Sequence, residues 1–419
     1  MRSRLLHARE SFWLLPALLG VAAVVLALGL VEVDRLLVVA GIDDIPLVED
    51  LSATGGRAIL SAIGGTMLGV AATSFSITIS VLATTSSAYG PRLVRNFMAD
   101  RGNQVVLAVL TSTFLYALIV LRSIHTEDDG VVGFVPVLAV SAAVLLAVAD
   151  VAVLVYFIHH IAVSVQVTTL QTRVLQDLER VIDVTRPERE EAAVRAATDA
   201  VPTGAGPTGA VRVVRATGTG YVAGVDLAAL VAAAARGDAR YRVVALPGTH
   251  VVDGDPLLEV VGGGGGAGGD DAADAAVRLA VDLQPARTPH QDIGYAVQQM
   301  VEIGVRGLAS GTNDPYTAVG ALDALSGALR TLCLRPTPEV DVLRSDDGVP
   351  RVEIRWPRPS ALVSEAFLAV RAYGVGHVLV MRAMLRLAER LAAVADDEVR
   401  RTLHHEVRAL AASYERTDP

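Results

Sequence analysis

Asp150 is the one charged residue in an apolar stretch that runs from Val131 past Phe157. A carboxylate deep in lipid costs about 2.5–3.5 kcal/mol at the bilayer centre, so Asp150, in the inner half of its span, must face protein or water. Arg92 or Arg95, near the inner surface, is the expected counter-charge. A structural ion pair and a site on a permeation route are equally good readings. Farther along the same stretch stand His159 and His160. Neighbours on a helix diverge by about 100° and are badly placed to share one metal. They read as interfacial polar residues, with pH sensing at the inner mouth as the sharper alternative.

A second pattern is a stripe of small and hydroxyl residues. Ser61, Gly65, Gly69 and Thr73 repeat at intervals of four, as do Ser76, Ser80 and Thr84. Such spacing lets helices approach closely, which points to tight packing inside the helical unit. The competing reading is a polar face lining a water-filled path between subunits. A third group, Arg287, His290, Asp292, Asn313 and Asp314, gathers at the starts of two consecutive helices. Helix N-termini attract anions, and an arginine there would complete a phosphate or carboxylate site. Asp292 and Asp314 are themselves natural caps, which favours capping and domain-locking hydrogen bonds over a ligand.

Catalytic signals are weak, and no catalytic residue, cofactor or metal is assigned. Gly218 to Ala223 mimics a dinucleotide fingerprint, but the following helix starts at Asp226, too late to hold a pyrophosphate. The poly-Gly run near 262–269 lacks the lysine of a phosphate-binding loop, and His405-Glu406 lacks its second histidine because position 409 is Ala. An enzyme is not expected.

Four long apolar stretches position the first two groups: Phe12–Val31, Ala58–Ala88, Gln104–Leu121 and Val131 to beyond Phe157. Each meets the ~20 helical residues that a ~30 Å hydrocarbon core requires. Arg2, Arg4, Arg9, Arg92, Arg95 and Arg101 lie on one side of this pattern. Glu32, Asp34, Asp43, Asp44, Glu49, Asp50 and Glu127 to Asp129 lie on the other. Arginine is retained on the cytoplasmic side, so both termini are expected inside. Helical periodicity continues beyond the fourth stretch to about Asp183, which predicts one helix of ~50 residues leaving the lipid as an amphipathic stalk and ending at Pro187.

The remainder mixes strands and helices. Strands are expected at Val211–Arg215, Tyr221–Val225, Tyr241–Leu246, Leu257–Val261, Val340–Arg344 and Val352–Trp356. Helices are expected at Leu227–Ala235, His290–Leu308, Pro315–Leu332, Ser360–Tyr373, Val378–Val394 and Glu398–Tyr414. The first four strands resemble in pattern a small barrel-sandwich domain. Biotin and lipoate carriers of that type attach their cofactor through lysine, and the chain has none: all 36 of its basic residues are arginine. A net charge of −9 argues against nucleic acid as a partner. The single cysteine, Cys333, excludes an intrachain disulfide and sits in a helical pattern that favours packing over reactivity.

Four segments together resemble one family: Ser74–Gln104 (SFSITISVLATTSSAYGPRLVRNFMADRGNQ), Tyr156–Ala162 (YFIHHIA), Arg287–Asp292 (RTPHQD) and Ser310–Ala318 (SGTNDPYTA). They look like the bacterial predicted membrane proteins catalogued as domain of unknown function twenty-two fifty-four. The resemblance implies four spans, a cytosolic domain and no nameable activity.

The expected fold is therefore an α-helical membrane domain of four transmembrane helices followed by a mixed α+β cytosolic domain. Its expected parts are a four-helix domain (1–165), a stalk helix and linker (166–200), a small β-rich domain (201–262) and a mainly helical domain (263–419). The expected setting is a bacterial cytoplasmic (inner) membrane, with the lipid bilayer, further copies of the chain and a small anion or ion as partners. The leading functional reading is an oligomeric channel-like or transport-related protein with a cytosolic gating domain. The alternative is a membrane-tethered sensor or scaffold.

Overall fold

A computed structural model describes residues 13–40, 52–89, 100–125, 134–164, 166–186, 209, 211–263, 270–309 and 311–415. The chain divides into two compact units, Met1–Thr169 and Leu170–Pro419.

The first unit is helical: α1 (Leu14–Val39), α2 (Ala53–Tyr89), α3 (Arg101–Ser123) and α4 (Val137–Ser164). In lipid a backbone must satisfy its own hydrogen bonds, and unbroken apolar runs of this length do so as helices. α3 is the hub and packs against α1, α2 and α4. Its most apolar window is 44% buried, against 22% for the other three, so α1, α2 and α4 present most of their side chains outward. Those outward faces are greasy: Leu18, Val25, Leu28, Leu145, Val148 and Val151 are all exposed. Two apolar clusters fill the interior, one around Leu60, Tyr116, Val120 and Val140, the other around Met67, Val106, Leu110 and Phe157.

The predicted single helix from the fourth stretch to the stalk is two helices. α4 stops at Ser164, Gln166 N donates to the Val163 carbonyl (3.2 Å), and α5 begins at Val167 and runs to Thr185. The join falls in Val163-Ser-Val-Gln-Val-Thr-Thr169, where β-branched side chains crowd the helical turn. α5 is amphipathic, burying Val174, Leu178, Val181 and Ile182. Pro187 lies outside the described residues, as does much of the Gly-rich segment after Gly262.

The second unit contains β1 (Val211–Arg215), β2 (Gly220–Val225), α6 (Leu227–Arg236), β3 (Ala239–Val243), β4 (His250–Val251), β5 (Pro256–Gly262), α7 (Asp270–Leu279) and β6 (Val281–Gln284). These are followed by α8 (Ile293–Gly307), α9 (Pro315–Leu334), β7 (Asp341–Arg344), β8 (Pro350–Ile354), α10 (Pro359–Gly374), α11 (Val378–Ala392) and α12 (Asp397–Glu415). A five-stranded sheet runs β1-β5-β3-β8-β7, antiparallel except for the β3–β8 pair. A three-stranded antiparallel sheet runs β4-β2-β6. Both sheets take strands from either side of the expected boundary at 262/263, so the β segment is not a separate barrel. Leu230, Tyr241, Leu258, Val352, Ile354 and Trp356 share one core. α7 and β6 fall where only a linker and helices are expected. The Gly218–Ala223 motif runs into β2, which removes any phosphate loop there.

Among the described residues five helices are long and apolar enough to cross a membrane: α1 to α4, and α9 in the second unit. The count of four is therefore not exact by length and composition. α9 packs against α8 and α11, burying Ala321, Leu322, Leu325, Leu329 and Leu332 on one face. On its other face Asp323 pairs with Arg390 (3.0 Å) and Arg386 (3.7 Å) of α11.

Candidate functional site

Asp150 sits midway along the 28 residues of α4, at 1% exposure. Among the described residues neither carboxylate oxygen has a partner in good hydrogen-bond geometry. Thr113 of α3 is its polar neighbour, itself buried. Arg92 and Arg95, the expected counter-charges, lie outside the described residues. Asp34 of α1 is buried to a similar degree but differently served: Leu138 N and Ala139 N donate to its two oxygens at 3.0 and 2.9 Å. It thus caps α4 from a neighbouring helix, supplying the partner that the first-turn amides lack. Tyr116 adds a bond from its hydroxyl to the Ala139 carbonyl (2.9 Å).

The opposite end of the unit is tied by a second carboxylate. Asp100 accepts from Gly102 N (2.8 Å) at the start of α3 and pairs with His160 Nε2 (2.9 Å) on α4. His160 stacks on Tyr156, with ring centroids 5.4 Å apart, while His159 is exposed. At residue 102 an added Cβ would fall 2.6 Å from His160 Nε2, so the ring would have to shift. Next to it, Asn103 is 3% exposed, and among the described residues neither of its amide atoms has a partner. It borders a cavity of about 10 Å³ with Ser74, Phe75, Thr78 and Phe157.

The small-residue stripe of α2 points out of the unit. Gly65, Gly69, Thr73, Ser76, Ser80 and Thr84 are all exposed. A Cβ built on Gly65 or Gly69 meets nothing within 4 Å. Tight packing of this stripe inside the unit is therefore corrected: Ser74, Thr78, Met67 and Ala71 form the inward face instead. Thr73 and Thr84 return their hydroxyls to their own helix, at Gly69 O (2.9 Å) and Ser80 O (3.0 Å). That lowers the cost of facing lipid or another helix.

In the second unit Arg287 grips Asp292 through two bonds, Nε to Oδ2 (2.8 Å) and Nη2 to Oδ1 (3.0 Å). Its third nitrogen reaches Gln298 Oε1 (2.9 Å), and the guanidinium lies 5.1 Å from the Tyr295 ring centre. Asp292 caps α8 through Tyr295 N (2.9 Å), so its carboxylate fills the position an anion would need. Gly248, at φ +91°, turns directly over it; an added Cβ would collide with the carboxylate. Gln291 exchanges two bonds with the Val225 backbone, at 2.8 and 3.2 Å. His290 is exposed and edges a surface cleft with Gly224, Asp226 and Leu279. Asn313 (φ +44°) turns the chain into Asp314, which caps α9 at Tyr316 N (3.1 Å) and bonds the Thr317 hydroxyl (2.7 Å). Arg287 and Asp314 thus each close on their own neighbours.

Two more groups bear on chemistry. Burial, with Asp396 adding to it, pushes the Cys333 thiol up to about 11, so it is no thiolate at neutral pH. Burial pulls the Arg186 guanidinium down to about 10. Among the described residues no cluster of three or more His, Cys, Asp or Glu is placed to hold a metal ion.

The sequence reading missed Asp34, Asp100 and Asn103. The acidic pattern reads Asp34 as loop charge, whereas α1 extends to Val39 and holds it. The signal for Asp100 was legible in Asp-Arg-Gly-Asn103, a capping aspartate followed by the glycine that admits His160.

A unit of long, outwardly apolar helices followed by an α/β unit fits a multi-pass membrane protein. Residues 9–390 match the profile of the family described as predicted membrane protein (DUF2254), and the chain belongs to that family. It is similar to the uncharacterized proteins Rv1290c of Mycobacterium tuberculosis and Mb1321c of Mycobacterium bovis. Each is 31% identical over 347 residues, which cover 82% of this chain and 65% of the relative. The chain thus spans 65% of the length of those relatives. No solved structure matches it.

Proposed function

We propose that the chain is an oligomeric, channel-like or transport-related protein of the bacterial cytoplasmic membrane. In this reading α1 to α4 are the spans, both termini are cytoplasmic and the second unit acts as a gate or vestibule. The observation that carries it is the outward face of α2, where Gly65, Gly69, Thr73, Ser76, Ser80 and Thr84 are exposed on a helix otherwise clothed in Leu68, Ile77 and Ile79. A face of that composition suits close approach of a second copy and a hydroxyl-lined seam between copies. α9 is read as a core helix of the second unit, because a span would not hold Asp323 in a network with Arg386 and Arg390. The inside assignment follows the arginines near 92–101, set against the acidic residues of 43–50 and 127–129.

Purified protein in planar bilayers tests this. Unitary currents that fall or vanish with Ser76→Leu or Ser80→Leu support the path between copies. Silent bilayers from a well-defined oligomer would favour the tethered scaffold instead.

A further inference from the structure

We propose that Asp150 is a proton-binding site: its carboxyl carries a proton that exchanges with the aqueous phase, inside each copy of the helical unit. The proposal stands apart from the transport reading, since it concerns occupancy of one side chain.

Three observations carry it. First, both oxygens are buried and unpartnered at the midpoint of α4. An ionised carboxylate in such a place is a large uncompensated charge, and a proton or a cation is what removes it. Second, among the described residues no opposite charge stands at its level. α4 packs against α1, α2 and α3. The charged groups of those helices are Glu32, Asp34, Arg35, Arg57 and Arg122 at the Asp34 end, and Arg101 with Asp100 at the other. On α4 itself, His159 and His160 lie nine and ten residues away, about 15 Å along the axis. Arg35 and Arg57 are occupied besides, by Glu32 (3.5 Å) and the Ile124 carbonyl (3.0 Å). Third, Asp34 shows how this unit serves a buried carboxylate of the fold: it gives both oxygens backbone amides. Among the described residues no cluster of His, Cys, Asp or Glu is placed to hold a metal cation at Asp150, which has the Thr113 side chain beside it. A neutral carboxyl needs no more than that.

Dicyclohexylcarbodiimide, which reacts with protonated carboxyls in apolar surroundings, reads the state directly on the full-length protein in lipid. Peptide mass spectrometry should find the N-acylurea adduct on Asp150. Labelling should fall at least tenfold between about pH 6 and about pH 9 as the carboxyl ionises. It should survive Asp34→Asn and disappear in Asp150→Asn. If that variant fails to fold, the wild-type labelling site and its pH profile still decide the matter. No adduct on Asp150 at any pH overturns the proposal. So does suppression of labelling by sodium or potassium at constant pH, which would make the occupant a metal cation. Loss of channel currents leaves the labelling expectation intact, so the two readings fail separately.

Discussion

Asp34 and Asp150 are the same side chain in the same helical unit, 4% and 1% exposed, yet one has two backbone amides and the other no well-formed hydrogen bond among the described residues. Burial alone does not separate a structural carboxylate from a functional one; partners do. Asp34 meets an obligation of the fold, the unpaired amides at the start of α4. Asp150 meets none that the described residues reveal. Asp292 in the second unit falls with Asp34: two guanidinium bonds and one amide account for it.

The sharpest way to break this contrast is to remove each carboxylate in turn. Asp34→Ala strands one buried and one half-buried amide and should destabilise the unit by about 2–4 kcal/mol in detergent unfolding titrations. Asp150→Asn should lie within about 1 kcal/mol of the parent, or above it, because it deletes an uncompensated group. Equal losses for the two would erase the distinction. Arg287→Ala should cost about 2–3 kcal/mol, less than a fully enclosed pair because the arginine side chain is 27% exposed. Inorganic phosphate should leave the midpoint unchanged in the parent protein; a rise in Tm would show that Asp292 does not fill the N-terminus of α8.

A smaller effect attends Gly102→Ala, which pushes a methyl into the His160 ring and should cost about 1–3 kcal/mol. Adding His160→Ala should recover part of that loss, and no recovery would place the strain elsewhere. The smallest concerns Asp314, whose carboxyl is held below the usual 3.8 mainly by the Thr317 hydroxyl. A depressed folded-state value means that its stabilisation is present above pH 3.8 and is lost as acid carries the pH down through that lower value. The group is nearly solvent-exposed, so about 0.3–0.5 kcal/mol is at stake. Asp314→Asn keeps a capping oxygen and should flatten that part of the acid limb in Tm against pH.

Legibility followed the range of the determining interaction. The apolar helices, the Asp314-Pro315 start of α9 and most strands of the second unit announce themselves locally, through length, periodicity and caps. Partners distant in sequence did not. Asp34 and Leu138 are 104 residues apart, and nothing near Asp34 signals that its oxygens serve another helix. The direction of the α2 stripe was equally hidden, because four-residue spacing defines a face without saying where it points. The stalk was over-extended because apolar periodicity continues across Val163–Thr169 although the helix does not.

The parallel pairing of β3 with β8 has a consequence for how the chain is made. Arg242 and Glu353, neighbours on those strands, lie 111 residues apart. A ribosome adding about 5–20 residues per second leaves the β3 edge uncovered for on the order of ten seconds after it emerges. During that interval the nascent chain offers an open strand to any passing polypeptide.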